Sequence, residues 1–150
     1  MNSLTTIRKA VPADMVEILE LVRELAVYEK APDAVLTTLQ DYEINFKSGV
    51  FDALMAEDGE GKVVGIALYY ISWSTWKGRT LYLEDFIVKQ RQRGNGIGKI
   101  IFDALTEEAH KLNCNQMKWQ VLDWNEAAVN FYKKYPVEIE KDWWNVRLKL

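Results

Sequence analysis

The chain has 150 residues, 49% of them hydrophobic and 12% aromatic, which is the size of one domain with apolar surface enough for its own core. Its formal net charge of -3 offers no basic field to neutralise a nucleic-acid backbone, and no apolar run approaches the roughly 20 residues of a membrane helix, so neither nucleic acid nor membrane is expected as a partner. One cysteine, Cys114, excludes an intrachain disulfide, and with one histidine, His110, leaves no ligand set for structural zinc; no metal and a cytoplasmic location are expected.

In chain order, residues 4–9 read as a short strand. Pro12 then opens a segment in which Met15, Ile18, Leu19, Val22, Leu25 and Ala26 recur at the spacing of one helical face. A second helix starts at Thr37 or Thr38, since Thr37 with Gln40 and Thr38 with Asp41 both fit a capping box, and it fades near Ser48 and Gly49. After it the period changes to two. Residues 51–57, 63–73 and 80–89 are rich in β-branched and aromatic side chains and are separated by the turns 58–61 and 74–78, which predicts an antiparallel meander.

Residues 96–112 form a helix with Ile97, Ile100, Ile101, Ala104, Leu105 and Ala109 on one face. His110 and Lys111 lie at its carbonyl end, and Asn113 serves as the cap. Residues 116–122 are a further strand, so strand, helix and strand make a β-α-β unit whose strands run parallel. A short helix over 126–135 is stopped by Pro136, and 137–150 can hold one or two closing strands. The expectation is one α+β domain over 1–150, with a mixed sheet. Cys114 is read as a small buried residue, and most of the six tryptophans as core or dimer contacts, with one or two left to form an aromatic wall for a ligand.

The densest chemical signal is Arg91-Gln92-Arg93-Gly94-Asn95-Gly96-Ile97-Gly98, between a strand end and a helix start. Its glycines permit positive φ and close backbone approach, while the first helical N–H groups are unpaired and lie at the positive end of the dipole, so the turn suits an anion. It is not a Walker loop, because Ile100 follows Gly98-Lys99 where Ser or Thr is required.

Arg93-x-x-Gly96-x-Gly98 matches the acyl-CoA-binding pattern R/Q-x-x-G-x-G/A of the GNAT N-acetyltransferases. With Leu81-Tyr82-Leu83-Glu84-Asp85-Phe86-Ile87-Val88, Trp124-Asn125-Glu126 and Asn130-Phe131-Tyr132-Lys133, the chain resembles the diamine branch of that superfamily, the spermidine/spermine and thialysine acetyltransferases. The resemblance implies the GNAT fold, in which a meander joins a β-α-β unit with a splayed parallel strand pair. It also implies acetyl-CoA as co-substrate and a homodimer.

By the same resemblance, the backbone of Phe86, Ile87 and Val88 pairs with the pantetheine arm, Arg93, Gly94, Asn95, Gly96, Ile97, Gly98 and Lys99 hold the pyrophosphate, and Asn125 contacts the cofactor. Tyr132 matches the general acid and Glu84 the acid at the amine end. Tyr28, Glu29, Lys118, Trp119 and Gln120 match acceptor-side positions, with Asp142 as a further contact. One departure is Tyr135-Pro136, where the family usually has a glycine.

The chemistry asks for the same residue types. An alkylammonium of pKa near 10.4 must lose a proton before it attacks a thioester, and Glu84 and Asp85 are adjacent candidates for the base. Neighbours on a regular strand point to opposite faces, so only one should face a given cleft, and the resemblance selects Glu84. A backbone N–H at 86–88 suits the developing oxyanion, and no covalent enzyme intermediate is required. The expected reaction is direct acetylation, in a ternary complex, of a primary amine on a diamine, polyamine or thialysine-like amino acid; Glu29, Glu84 and Asp85 suit such a cation. Two other readings stay open: an acyl-CoA-binding regulatory module, and an acetyltransferase for a protein or peptide amine.

Overall fold

The computed structural model describes residues 4–150, in two compact units, the first running to Trp119 and the second Gln120–Leu150. The first unit contains β1 (Thr6–Lys9), α1 (Met15–Tyr28), α2 (Leu39–Lys47), β2 (Asp52–Glu57), β3 (Val63–Ser74), β4 (Gly78–Val88), α3 (Ile97–Lys111) and β5 (Gln116–Trp119). Its five-stranded sheet has the order β1-β2-β3-β4-β5, antiparallel except for the β4/β5 pair. The expected meander and parallel pair are both present. The second unit carries α4 (Glu126–Tyr132). Among the described residues no helix is long and apolar enough to cross a membrane.

Local chemistry explains the element ends. Of the two candidate caps for α2, Thr38 is the one used: its hydroxyl accepts from the Asp41 N–H at 3.2 Å and the Asp41 carboxylate accepts from the Thr38 N–H at 2.8 Å. Asn113, just past α3, takes φ 58, the left-handed geometry of a residue after a helix end. α4 stops at Tyr132, three residues short of the expected end. Pro136 has no N–H to give the Tyr132 carbonyl, which instead accepts from Tyr135 at 3.0 Å.

α1 packs on one face of the sheet through Met15, Ile18 and Leu21, which share a core with Met55, Ile66, Leu68 and Ile87. α3 covers the other face with Ile101, Phe102 and Leu105. There β3 needs Gly65, because a Cβ would stand 2.7 Å from Ile101 Cδ1 and 2.8 Å from the Ile87 carbonyl.

Three expectations fail. Residues 137–150 form no strand: the segment has no ladder partner among the described residues, and a period-two pattern alone does not supply one. Most tryptophans lie outside the core, one of the two places expected for them: Trp73, Trp76, Trp124, Trp143 and Trp144 are exposed, and the buried residues are mainly aliphatic, with Met15, Met55, Tyr69 and Phe102 among them. Cys114 is half-buried.

A charged knot closes the start of the sheet. Arg8 donates from both terminal nitrogens to Asp14, at 2.8 and 2.9 Å, and from Nε to Glu57, while the Val11 N–H donates to Asp14 Oδ2 at 2.7 Å. The Arg8 pairing holds the buried Asp14 carboxyl below the usual range. A carboxyl with a lowered folded pKa contributes stability above its unfolded value near 3.9 and loses it as pH falls through the folded one. Asp14→Ala is therefore expected to cost about 1–3 kcal/mol at pH 7, with the gap to wild type closing below about pH 4 in denaturant melts.

Candidate active site

The site is organised by an irregularity in β4. Leu68 is in register with Asp85 and Tyr69 with Leu83, so Glu84 is an extra residue with no partner on β3. A bulge of this kind bends its strand and breaks the strict alternation of faces. Asp85, opposite the core residue Leu68, lies on the α1 side of the sheet. Glu84 is exposed beside it, and both carboxylates act electrostatically on the phenol of Tyr42 in α2. The expectation that only one of the two acids faces the cleft is thus corrected: the bulge sets them side by side.

Their environments differ. Burial, followed by the charges of Glu84 and Glu29, pushes Asp85 up to about 6, and burial also raises the Glu29 carboxyl. Around them stand tyrosines that the sequence did not single out. Tyr70 and Tyr82 are cross-strand partners with rings stacked at 5.1 Å, and burial first, then the charge of Glu84, raises both phenols. Tyr82, two residues before Glu84, could have been suspected from β4 alone, whereas Tyr70 follows only from the register. Tyr42 packs edge-on against Phe51 at 5.8 Å, and burial is the main cause of its raised pKa.

The parallel pairing of β4 with β5 ends at Leu83 and Trp119. Strand β4 continues through Phe86, Ile87 and Val88 while β5 stops, three residues before its expected end at 122, which is the splay that the resemblance implies. Past Val88, Gly94 and Gly96 take φ 82 and 78, and a Cβ at either would meet nothing within 4 Å, so the turn has open space in front of it. Gly96 caps α3 without a side chain, and Ile100 is the residue whose N–H bonds back to the Gly96 carbonyl, at 3.2 Å. The amides of Ile97, Gly98 and Lys99 form the first turn ahead of it.

The other nominated residues are placed as follows. Arg93 donates from Nε to the Val88 carbonyl at 3.0 Å, and its guanidinium lies 4.9 Å over the ring of Tyr28, which ties the end of α1 to the glycine turn. Lys99 pairs with Asp103 one turn on. Asn95 is exposed in the turn. Lys118 is in register with Tyr82 and shares its face, whereas Trp119 packs edge-on against Phe102 of α3 at 5.4 Å. Within the second unit, Gln120 donates to the Asn145 amide oxygen, Asn125 caps α4 by accepting from the Ala128 N–H at 3.2 Å, and Tyr132 is buried with Phe131 edge-on at 5.5 Å. Asp142 is exposed. Among the described residues no group of three or more His, Cys, Asp or Glu could hold a metal ion.

Residues 15–135 match the family model described as "Acetyltransferase (GNAT) family". The chain belongs to this family. As a GNAT protein it is 42% identical to the thialysine N-epsilon-acetyltransferase of Bos taurus over 136 residues, 85% of this chain and 80% of the relative. It is 39% identical to the human spermidine/spermine N(1)-acetyltransferase-like protein 1, over 84% of this chain and 19% of that longer protein. A solved aminoglycoside acetyltransferase from an uncultured soil metagenomic sample has the same fold, with a TM-score of 0.80 at 17% identity, covering 97% of this chain and 96% of that one. The GNAT chain is accordingly an acetyltransferase of the branch that its motifs resemble.

Proposed function

We propose that the protein transfers the acetyl group of acetyl-CoA directly to a primary amine of a small cationic molecule: a diamine, a polyamine or a thialysine-like amino acid. The observation that carries this reading is the pair Glu84 and Asp85 at the β4 bulge, with stacked Tyr70 and Tyr82 against them and the glycine turn at the far end of the same strand. A carboxylate pair beside aromatic faces suits an alkylammonium, which gains both ion pairing and cation–π contact. The relatives named for thialysine and for spermidine/spermine support the same acceptor class.

In this reading acetyl-CoA supplies the thioester, and the residues of the chain do the rest. Gly94, Gly96 and the amides of Ile97, Gly98 and Lys99 cradle its pyrophosphate, with Arg93 beside them. The open backbone of Phe86, Ile87 and Val88 holds the pantetheine arm and offers an N–H to the developing oxyanion. Asp85 takes the proton of the ammonium, since its pKa of about 6 matches a base working near neutrality, and Glu84 holds the amine at the mouth. The amine nitrogen then bonds to the acyl carbon as the carbon–sulfur bond breaks, Tyr132 gives its proton to the departing sulfur, and the proton that the new amide nitrogen sheds restores the Tyr132 phenol. The roles of Tyr132 and Asn125 rest on the family resemblance.

The test is thiol release from acetyl-CoA with spermidine, putrescine, thialysine, lysine, an aminoglycoside and a short peptide as acceptors. Fast release with a small di- or polyamine or thialysine is expected; silence across the panel, with acetyl-CoA bound, would overturn the reading. The cradle is tested separately with Gly96→Val. A β-branched residue at φ 78 costs about 1–3 kcal/mol and refolds the turn, so acetyl-CoA affinity should fall roughly 5- to 150-fold in titration calorimetry. Unchanged affinity would remove the turn as the phosphate site.

A further inference from the structure

Four cations stand around the exit of β4: Lys89, Arg91, Arg93 and Lys99. Two are taken up by carboxylates, Lys89 by Glu17 and Lys99 by Asp103. Arg91 and Arg93 have no ion pair among the described residues, and of the two only Arg93 is held by a hydrogen bond and a ring. Its Nε donates to the Val88 carbonyl at 3.0 Å, and its guanidinium carbon lies 4.9 Å over the centre of the Tyr28 ring. Neither terminal nitrogen takes part in a hydrogen bond among the described residues, so the fork that matches a phosphate is fixed at its base and open at its tip.

The ring that carries this guanidinium is itself well anchored. Tyr28 is the last residue of α1, and the turn beyond it is closed by the Lys30 N–H on the Val27 carbonyl at 3.0 Å and the Ala31 N–H on the Ala26 carbonyl at 2.8 Å, with Lys30 at φ 63. At the start of the same helix Glu17 holds Lys89, so α1 is tied to the β4 exit at both ends. The contact also takes Tyr28 away from a cationic acceptor. An ammonium approaching this face of the ring meets the charge of Arg93 already on it, and like charges at that range repel.

Resting on the reading that the glycine turn binds acetyl-CoA, we propose that Tyr28 is a positioning residue of the cofactor end, its ring the shelf that sets the Arg93 guanidinium for the pyrophosphate. This replaces the acceptor-side role that the resemblance implies for it. A long side chain loses rotamer freedom when a ligand immobilises it, and one stacked in advance has lost that freedom before the ligand arrives.

The test measures acetyl-CoA affinity by titration calorimetry, and amine KM by thiol release, in Tyr28→Leu, Tyr28→Phe, Arg93→Ala and the double variant Tyr28→Leu/Arg93→Ala. Tyr28→Leu should weaken acetyl-CoA binding about 3- to 10-fold, with amine KM within twofold. Tyr28→Phe keeps the ring and should bind as wild type does. The double variant should bind no more weakly than Arg93→Ala alone, because the ring acts only through the guanidinium. Unchanged affinity in Tyr28→Leu, losses that add in the double variant, or a rise confined to amine KM would each overturn the proposal. If wild type and Gly96→Val behave as the cradle requires while Tyr28→Leu binds normally, this proposal alone falls; a wild type that binds no acetyl-CoA takes the functional reading down with it.

Discussion

Asp85→Asn is expected to lower kcat/KM by about 10²- to 10⁴-fold, the usual contribution of a positioned general base, while leaving acetyl-CoA affinity within twofold by design of the site. The pH profile makes the assignment specific. A base must be unprotonated to act, so the wild-type kcat/KM should climb with pH through about 6 and then level. In Asp85→Asn that limb disappears. In Glu84→Gln it persists but moves to lower pH, because the Glu84 charge is one of the causes that raise Asp85. A limb that survives Asp85→Asn unmoved would assign the base to another group, Glu84 first. Stability should change in the opposite sense to activity. A carboxyl raised in the folded state makes the fold bind more protons than the unfolded chain between about pH 4 and 6, so stability falls as pH rises across that window. Removing the charge should then stabilise the protein at pH 7, on the order of 2 kcal/mol. A variant that is slower and more stable cannot be dismissed as misfolded.

The parts of this site that depend on local sequence were legible before any coordinates. The glycine turn declares itself because positive φ and an uncapped helix start are properties of a few adjacent residues, and Gly94 and Gly96 have that geometry. α1 and α3 are equally plain, since Met15, Ile18 and Leu19, or Ile97, Ile101 and Leu105, mark one face through spacing alone. The bulge at Glu84 is of another kind. It is a mismatch between two strands, so nothing in β4 by itself reports it, and the alternation rule applied to Glu84 and Asp85 gave the wrong geometry. Tyr70 was missed for the same reason: it reaches Glu84 only because the hairpin register sets it opposite Tyr82. The closing strands expected over 137–150 show the converse limit. The period-two pattern is real, but a pattern states which face wants burial and leaves open which edge supplies it.

Tyr132→Phe isolates the opposite end of the reaction. Tyr132 is the last residue of α4 and is 9% exposed, with Phe131 edge-on to it, so removing one oxygen leaves the aromatic packing in place. If the phenol protonates the leaving sulfur, kcat should fall by about 10²- to 10³-fold, within the range of general acid catalysis, with acetyl-CoA affinity and amine KM little changed. A wild-type-to-variant ratio near one for the acyl-transfer step in single-turnover kinetics would take the acid role from Tyr132, and a loss confined to acetyl-CoA affinity or amine KM would make the hydroxyl a binding contact, with no proton delivered.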